Sequence, residues 1–314
     1  VKKLLESDFL LGVYDEHRMG ALRFKLDSDG PFLNDNKAMA APPWTSLREL
    51  EHASLKFEED NTNDPEYLKW VDMLIAPGSS LGGARPKASV MDAHNNLWIA
   101  KFPGRNDDKD IAAWEMVTNQ LAINAGLNVA EGKLLQFNNK YHTYLTKRFD
   151  RTEAGERIHF ASAMTLLGHK DGEDASGASY LELMEFISRY GAVVEKDLEE
   201  LWRRIVFGIC VKNTDDHLRN HGFLLTEKGW LLSPAYDINP NEYGKGLSLN
   251  ITDADNSLDL DLAITIAGYF RLSDDKASQI IQQVSAVVAD WRKVAVTYKI
   301  SNAAQERMSA AFSL

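Results

Sequence analysis

The sequence predicts an α+β protein in two lobes, strand-rich in its first half and helix-rich in its second, and three observations carry this expectation. Between residues 88 and 149, short runs of Val, Ile, Leu, Tyr and Phe alternate with clusters of Asn, Asp and Gly, as strands alternate with tight turns. Beyond about residue 160, apolar residues recur at helical spacing over long stretches. The change falls at Arg148-Phe149-Asp150-Arg151, so the expected lobes are 1–150 and 151–314.

Taken in order, residues 8–26 read as short extended segments with turns. Asp64-Pro65 reads as a helix start, with Asp as cap and Pro in the first helical position. The helical spacing of Trp70, Met73 and Leu74 then stops at Pro77-Gly78. A glycine-rich loop follows, Ser79-Ser80-Leu81-Gly82-Gly83-Ala84-Arg85-Pro86-Lys87. Strands are expected over 88–91 and 97–102, joined by the turn residues Asp92-Ala93-His94-Asn95-Asn96. A helix is expected over 109–125, with Ile111, Trp114, Val117, Leu121 and Ile123 on its apolar face and Gly126 as terminator. Strands at 132–137 and 142–149 share the turn Asn138-Asn139. The later helices are expected over 179–190, 195–210, 258–269, 273–293 and 301–312, interrupted by a strand pair at 223–226 and 230–233.

Composition narrows the function. Lys and Arg number 35 against 46 Asp and Glu, a net charge of −11. Such a chain is a poor partner for a nucleic-acid backbone, which is held by clustered cations. The single cysteine, Cys210, lies in an apolar run, so no internal disulfide framework or Cys/His zinc pattern is available, and the thiol reads as a small buried hydrophobe. No apolar run approaches the ~20 residues of a membrane span. These features together point to the reducing cytoplasm.

Four segments carry chemistry. Asn213-Thr214-Asp215-Asp216-His217-Leu218-Arg219-Asn220 packs two acids, an imidazole and two amides behind a hydrophobic helix. Asp215 and Asn220 stand five apart, the separation of the proton-accepting Asp and metal-binding Asn of kinase catalytic loops. The plain alternative is a solvated helix end and turn, since Asp and Asn favour turns. Asp237, in Ala235-Tyr236-Asp237-Ile238-Asn239-Pro240, follows the predicted hairpin and could join Asn220 on Mg²⁺, which takes one or two carboxylates plus phosphate oxygens. The alternative there is an Asx turn before Pro240. Gly82 and Gly83 would let backbone N–H groups approach phosphate, although the loop lacks the Walker pattern and could be only a tight turn. Lys101 lies on a strand among apolar neighbours, with Glu115 on the next helix as its expected partner. An edge-strand lysine facing water is the other reading. The order of parts outweighs any single one: glycine-rich loop, strand Lys, helix Glu, two strands, Asp-x₄-Asn, hairpin, Asp.

On these motifs the chain resembles the HipA family of serine/threonine kinases, the toxins of bacterial type II toxin–antitoxin modules. Residues 213–220 and 235–240 resemble its catalytic and metal-binding segments, and Gly83-Ala84-Arg85-Pro86-Lys87 resembles its phosphate loop. Asp8-Phe9-Leu10-Leu11-Gly12-Val13 and Arg18-Met19-Gly20-Ala21-Leu22-Arg23-Phe24 resemble the segment before that loop. Arg148-Phe149-Asp150-Arg151 resembles the interlobe strand. The resemblance implies a two-lobed kinase fold using ATP and Mg²⁺. Asp215 would be the general base, and Asn220 and Asp237 would hold the metal. Gly82, Gly83, Ala84, Arg85, Lys87, Lys101, Lys147, Phe149 and His217 would line the nucleotide site, with Glu115 pairing Lys101. Ser80 would be an autophosphorylation site whose modification inhibits the enzyme. A helix-turn-helix, HipB-like antitoxin would be the partner and would carry the DNA contacts. The substrate would be a protein such as an aminoacyl-tRNA synthetase. Two departures stand out: the chain begins inside the family pattern, and Lys147 occupies a place where that pattern has an acidic residue.

Competing readings are a small-molecule phosphotransferase with the same parts, a non-catalytic corepressor partner of an antitoxin, and a metal hydrolase using Asp215, His217 and Asp237. The intact set Lys101, Asp215, Asn220 and Asp237 argues against the corepressor, and the hydrolase leaves the glycine-rich loop and Lys101 without a role.

Overall fold

The computed structural model describes residues 5–37, 40–58, 74, 85–137, 139–170 and 177–313. The predicted helix after Asp64-Pro65 therefore lies outside the described residues save for Leu74, as do Ser79, Ser80, Gly82, Gly83 and Ala84. The chain forms an α+β fold of two compact units, residues 1–112 with 131–159 and residues 113–130 with 160–314.

The first unit begins with helix α1 (Glu6–Gly12), where extended segments were expected. The Asp8 carboxylate accepts the Leu5 N–H at 2.8 Å, satisfying an orphan donor of the first turn and letting the segment coil. Helix α2 (Leu47–Glu58) precedes strands β1 (Lys87–Met91) and β2 (Leu97–Lys101). Strands β3 (Gly132–Leu135) and β4 (Thr143–Lys147) complete an antiparallel sheet of order β1-β2-β4-β3. Side chains alternate across the pleat. Ala88, Val90, Trp98, Ala100 and Leu145 share one face and form a core with Leu47 and Leu50 of α2. The opposite face carries Lys87 and Lys101, which are register partners, and Tyr144, the register partner of Lys101 on β4.

The second unit starts inside helix α3 (Ile111–Asn124), where Trp114, Val117 and Leu121 enter a large helical core. Ile123, expected on the same face, is instead 46% exposed. Strand β5 (Phe160–Ser162), which carries no strong strand signal, joins β6 (Gly222–Thr226) and β7 (Gly229–Leu232) in a three-stranded sheet. Between them run α4 (Ala163–Leu167), α5 (Tyr180–Tyr190) and α6 (Val194–Val211). Helix α6 is the axis of the unit: Leu198, Leu201, Trp202, Ile205, Val206, Ile209 and Cys210 are all fully buried. Burial pushes the Cys210 thiol up to about 11, which fits an inert packing group. The remaining helices are α7 (Leu260–Ile266), α8 (Asp274–Ala289), α9 (Trp291–Thr297) and α10 (Asn302–Met308). The helix expected over 273–293 breaks at Asp290. The turn there brings Trp291 onto Phe312 in a stacked pair with centroids 4.6 Å apart. Among the described residues, no helix is long and apolar enough to cross a membrane.

Candidate active site

The catalytic-loop candidate is launched by the end of α6. Lys212 adopts φ 49°, the Asn213 N–H reaches back to Gly208 O at 2.9 Å, and the Lys212 N–H reaches Ile209 O at 3.2 Å. This is a Schellman closure with lysine in the position glycine usually takes, and it turns the chain sharply out of the core.

The loop is then fastened at nearly every residue. Asn213 Oδ1 accepts the Asn239 N–H at 3.1 Å. Thr214 accepts from Asn241 Nδ2 at its hydroxyl and from the Ser248 hydroxyl at its carbonyl, both at 2.7 Å. Gly244 packs so closely on this turn that a Cβ there would stand 2.4 Å from Thr214 Cγ2. Asn220 Nδ2 donates to Asp215 O at 2.9 Å, closing the loop across its five-residue span and leaving Oδ1 as the side chain's acceptor. The Tyr236 hydroxyl donates to Arg219 O at 2.7 Å. Within this frame the Asp215 side chain is 87% exposed, while Asp216 is buried. His217 Nε2 stands 4.0 Å from Asp215 Oδ1, and its buried Nδ1 has no protein partner.

Asp237 lies at φ 58°, a left-handed conformation that a non-glycine residue holds at a cost and that clusters at functional sites. Asn239 Nδ2 donates to Asp237 Oδ1 at 3.1 Å. The segment is tied to α3, whose Thr118 hydroxyl donates to Ile238 O at 2.6 Å, and to residues 128–130 through paired backbone bonds at Ala235. Glu115, buried on α3, lies one turn before Thr118. Asp215, His217, Asn220 and Asp237 thus belong to one braced region of the second unit. An amide oxygen and a carboxylate, with no soft ligand, are a hard-oxygen pair of the kind Mg²⁺ accepts when phosphate supplies further oxygens.

The first unit brings together Lys87 and Lys101. They stand directly opposite each other on one face of the sheet, where two like charges repel. Lys101 Nζ also lies 5.8 Å from the centroid of the Tyr144 ring. Lys147 does not join them. It pairs in register with Trp98 and so projects from the other face, where it lines a cavity of about 500 Å³ with His17, Arg23, Arg151 and Arg157. The arginines of that cavity already hold Asp15 and Asp150. Arg85 is likewise engaged, donating to the Asp107 carboxylate at 2.6 Å. Phe149 is half-buried just beyond β4.

Sequence reasoning passed over Asp216, Tyr180 and His221, which form a buried network behind the loop: Asp216 Oδ2 receives the Tyr180 hydroxyl at 2.6 Å and lies 3.1 Å from His221 Nε2. The position of His221 directly after Asn220 was the available signal for that residue. Tyr180, 36 residues upstream of Asp216, gave none.

Residues 79–291 match the family described as the HipA-like C-terminal domain. A Haemophilus influenzae protein named "Putative kinase" is 26% identical over 179 residues, covering 51% of this chain and 52% of its own length. Toxin YjjJ of Escherichia coli is 24% identical over 238 residues, covering 72% of this chain and 50% of its own length. The chain therefore spans about half the length of the curated relatives it matches. A chain of the Shewanella oneidensis MR-1 toxin–antitoxin complex of HipA, HipB and operator DNA superposes with a TM-score of 0.62 at 17% identity, over 74% of this chain and 63% of that one. That likeness concerns the fold.

Proposed function

Because the chain belongs to the HipA-like C-terminal domain family, we propose that it is an ATP- and Mg²⁺-dependent protein kinase acting on serine or threonine. The observation that carries this reading is the construction of the 213–220 loop: an exposed Asp215 whose own carbonyl is held by Asn220, with the segment of left-handed Asp237 bonded to the start of the loop through Asn239 and Asn213. Their order and spacing match what a phosphoryl-transfer site would need and so support the reading.

In this reading Asp215 accepts the proton of the substrate hydroxyl as that oxygen attacks the γ-phosphorus and the bond to the departing ADP breaks. Its exposure leaves it open to a macromolecular substrate. Asn220 Oδ1 and the Asp237 carboxylate would hold Mg²⁺, which would neutralise charge on the phosphates. Lys87 and Lys101, which share one sheet face, are proposed phosphate ligands, as are Gly82, Gly83 and Ala84 of the glycine-rich loop. His217, with one ring nitrogen buried and the other toward Asp215, is a further proposed nucleotide ligand. Ser80 is the proposed autophosphorylation site: a phosphoserine in a phosphate-binding loop carries about −1.5 to −2 charges that would repel the nucleotide. A HipB-like helix-turn-helix antitoxin is the proposed partner and a translation protein such as an aminoacyl-tRNA synthetase the proposed target, both suggested by the family alone.

The deciding experiment is incubation of the chain with radiolabelled ATP and Mg²⁺, with mass spectrometry of the protein products. Phosphate on serine or threonine, Ser80 included, is the expected result. Label confined to small metabolites would favour the small-molecule phosphotransferase, and no transfer to any acceptor would remove the kinase reading.

A further inference from the structure

We infer that Asp216, Tyr180 and His221 form a buried brace that positions the catalytic loop, making Asp216 a positioning residue for phosphoryl transfer and not a second base. The inference rests on the kinase reading above. Asp215 and Asp216 are neighbours in sequence with opposite environments, one side chain 87% exposed and the other 11%. The inward residue is the anchor that leaves the outward one facing solvent.

One carboxylate oxygen does the tying. Asp216 Oδ2 accepts the Tyr180 hydroxyl at 2.6 Å and stands 3.1 Å from His221 Nε2. An ionised carboxylate has only acceptors, so Nε2 carries the proton. Burial alone would push the Asp216 carboxyl up, but the His221 and Tyr180 donors, with the Arg204 charge, hold it below the ordinary aspartate range. It is therefore the charged form that accepts, and charge-assisted hydrogen bonds are the stronger kind.

The two donors come from well-fixed places. Tyr180 is the first residue of α5, whose start is closed by a capping box between Ser179 and Glu182, and its N–H donates to Asn250 O at 3.0 Å. His221 follows Asn220 directly, and its carbonyl accepts the Ala163 N–H at 2.8 Å. The Tyr180 and His221 rings meet edge to face with centroids 5.7 Å apart. A single oxygen thus links the residue after Asp215 to the residue after Asn220, and both to the start of α5. Asn220 Nδ2 to Asp215 O closes the same span from the other side. The adjoining cavity, lined by Asn213, Asp216, Asn220 and His221 among others, holds about 20 Å³. That is space for about one water.

A purely structural network is the alternative, and the two separate on kinetics. Tyr180→Phe keeps the ring and removes the hydroxyl. Loosening the loop by a fraction of an ångström should lower kcat by about 10- to 100-fold, since misplacement of ~1 Å can cost about 10². KM for ATP should stay within about twofold, because neither Asp216, Tyr180 nor His221 is among the proposed nucleotide or metal ligands. Asp216→Asn, which retains one acceptor oxygen, should fall between wild type and Asp216→Ala. The test measures kcat and KM for phosphate transfer from radiolabelled ATP to casein, thermal stability, and hydrogen exchange of the 213–221 amides without nucleotide.

The brace predicts lowered kcat, unchanged KM and faster exchange confined to the loop. A lower Tm with wild-type kcat overturns it, as does wild-type exchange in Tyr180→Phe. If Asp216→Ala does not fold, Tyr180→Phe and Asp216→Asn carry the test. A wild-type chain that transfers no phosphate removes the kinase reading instead, and the exchange data then decide whether the brace orders the loop.

Discussion

Asp150 in the first unit and Asp216 in the second are both buried carboxylates held below the ordinary aspartate range, but they are held differently. Asp150 receives Arg148 Nε and Nη2 at 2.9 and 2.6 Å, Arg151 Nη1 at 2.7 Å and the Gly20 N–H at 2.7 Å. Arg148 also reaches His17 O at 2.7 Å, so this centre ties the 15–20 segment to the end of β4. Asp216 has a tyrosine and a histidine on one oxygen and sits next to the exposed Asp215. The first centre is saturated with permanent charge and serves stability. The second is sparely tied and sits behind the proposed catalytic loop. Breaking the first should cost folding, and breaking the second should cost rate.

The largest expected effect is Asp150→Asn, which would leave Arg148, with a side chain only 1% exposed, without its counter-charge. Breaking such a pair costs about 3–5 kcal/mol. Denaturant unfolding should show that loss. A change below about 1 kcal/mol would mean that the arginines relax to other acceptors and that the contrast with Asp216 is false. Next comes Gly244→Ala. The added methyl would overlap Thr214, and overpacking typically costs about 1–3 kcal/mol. Catalytic rate should fall with it, because the strain is delivered to the residue before Asp215. Wild-type rate in a destabilised variant would show that the loop tolerates movement.

Asp237→Asn keeps the shape of the side chain and removes its charge. The Mg²⁺ concentration needed for half-maximal nucleotide binding should rise about tenfold, equivalent to ~1.4 kcal/mol, with metal-free binding unchanged. Superimposed Mg²⁺ titrations would reduce Asp237 to a turn residue. The smallest effect is a pH slope. Burial, reinforced by Arg148, Arg151 and Arg157, lowers the His17 pKa to about 4. The unfolded chain takes up a proton below about pH 6.5 that the folded chain refuses until about pH 4. Stability should therefore decline as pH falls through that window, and His17→Gln should flatten the decline. Identical pH profiles for the two proteins would show that His17 titrates normally.

Much of this was legible in the sequence. The order of parts picked out Asp215, Asn220 and Asp237 as candidates, and all three fall in the second unit. Strand periodicity found both halves of each hairpin, because apolar alternation is a local property. Three things were hidden for physical reasons. Strand β5 has only three residues and exists because β6 offers it an edge. Lys147 was expected to line the nucleotide site along with Lys101, but its register opposite Trp98 puts it on the other face of the sheet, and register is a tertiary fact. Asp216 stood in the sequence only as one of two adjacent acids with no role assigned, and only the contact with Tyr180 shows that it points inward.

The central claim is that Asp215 is the base of a phosphoryl-transfer loop, and Asp215→Ala tests it most directly. Rapid transfer from radiolabelled ATP, nucleotide titration calorimetry and thermal melting would be run on wild type and variant side by side. A positioned general base contributes about 10²–10⁴ in rate. The account predicts a loss of that size with ATP affinity unchanged and, because the side chain is 87% exposed, an unchanged Tm. A variant that transfers phosphate at the wild-type rate would contradict it.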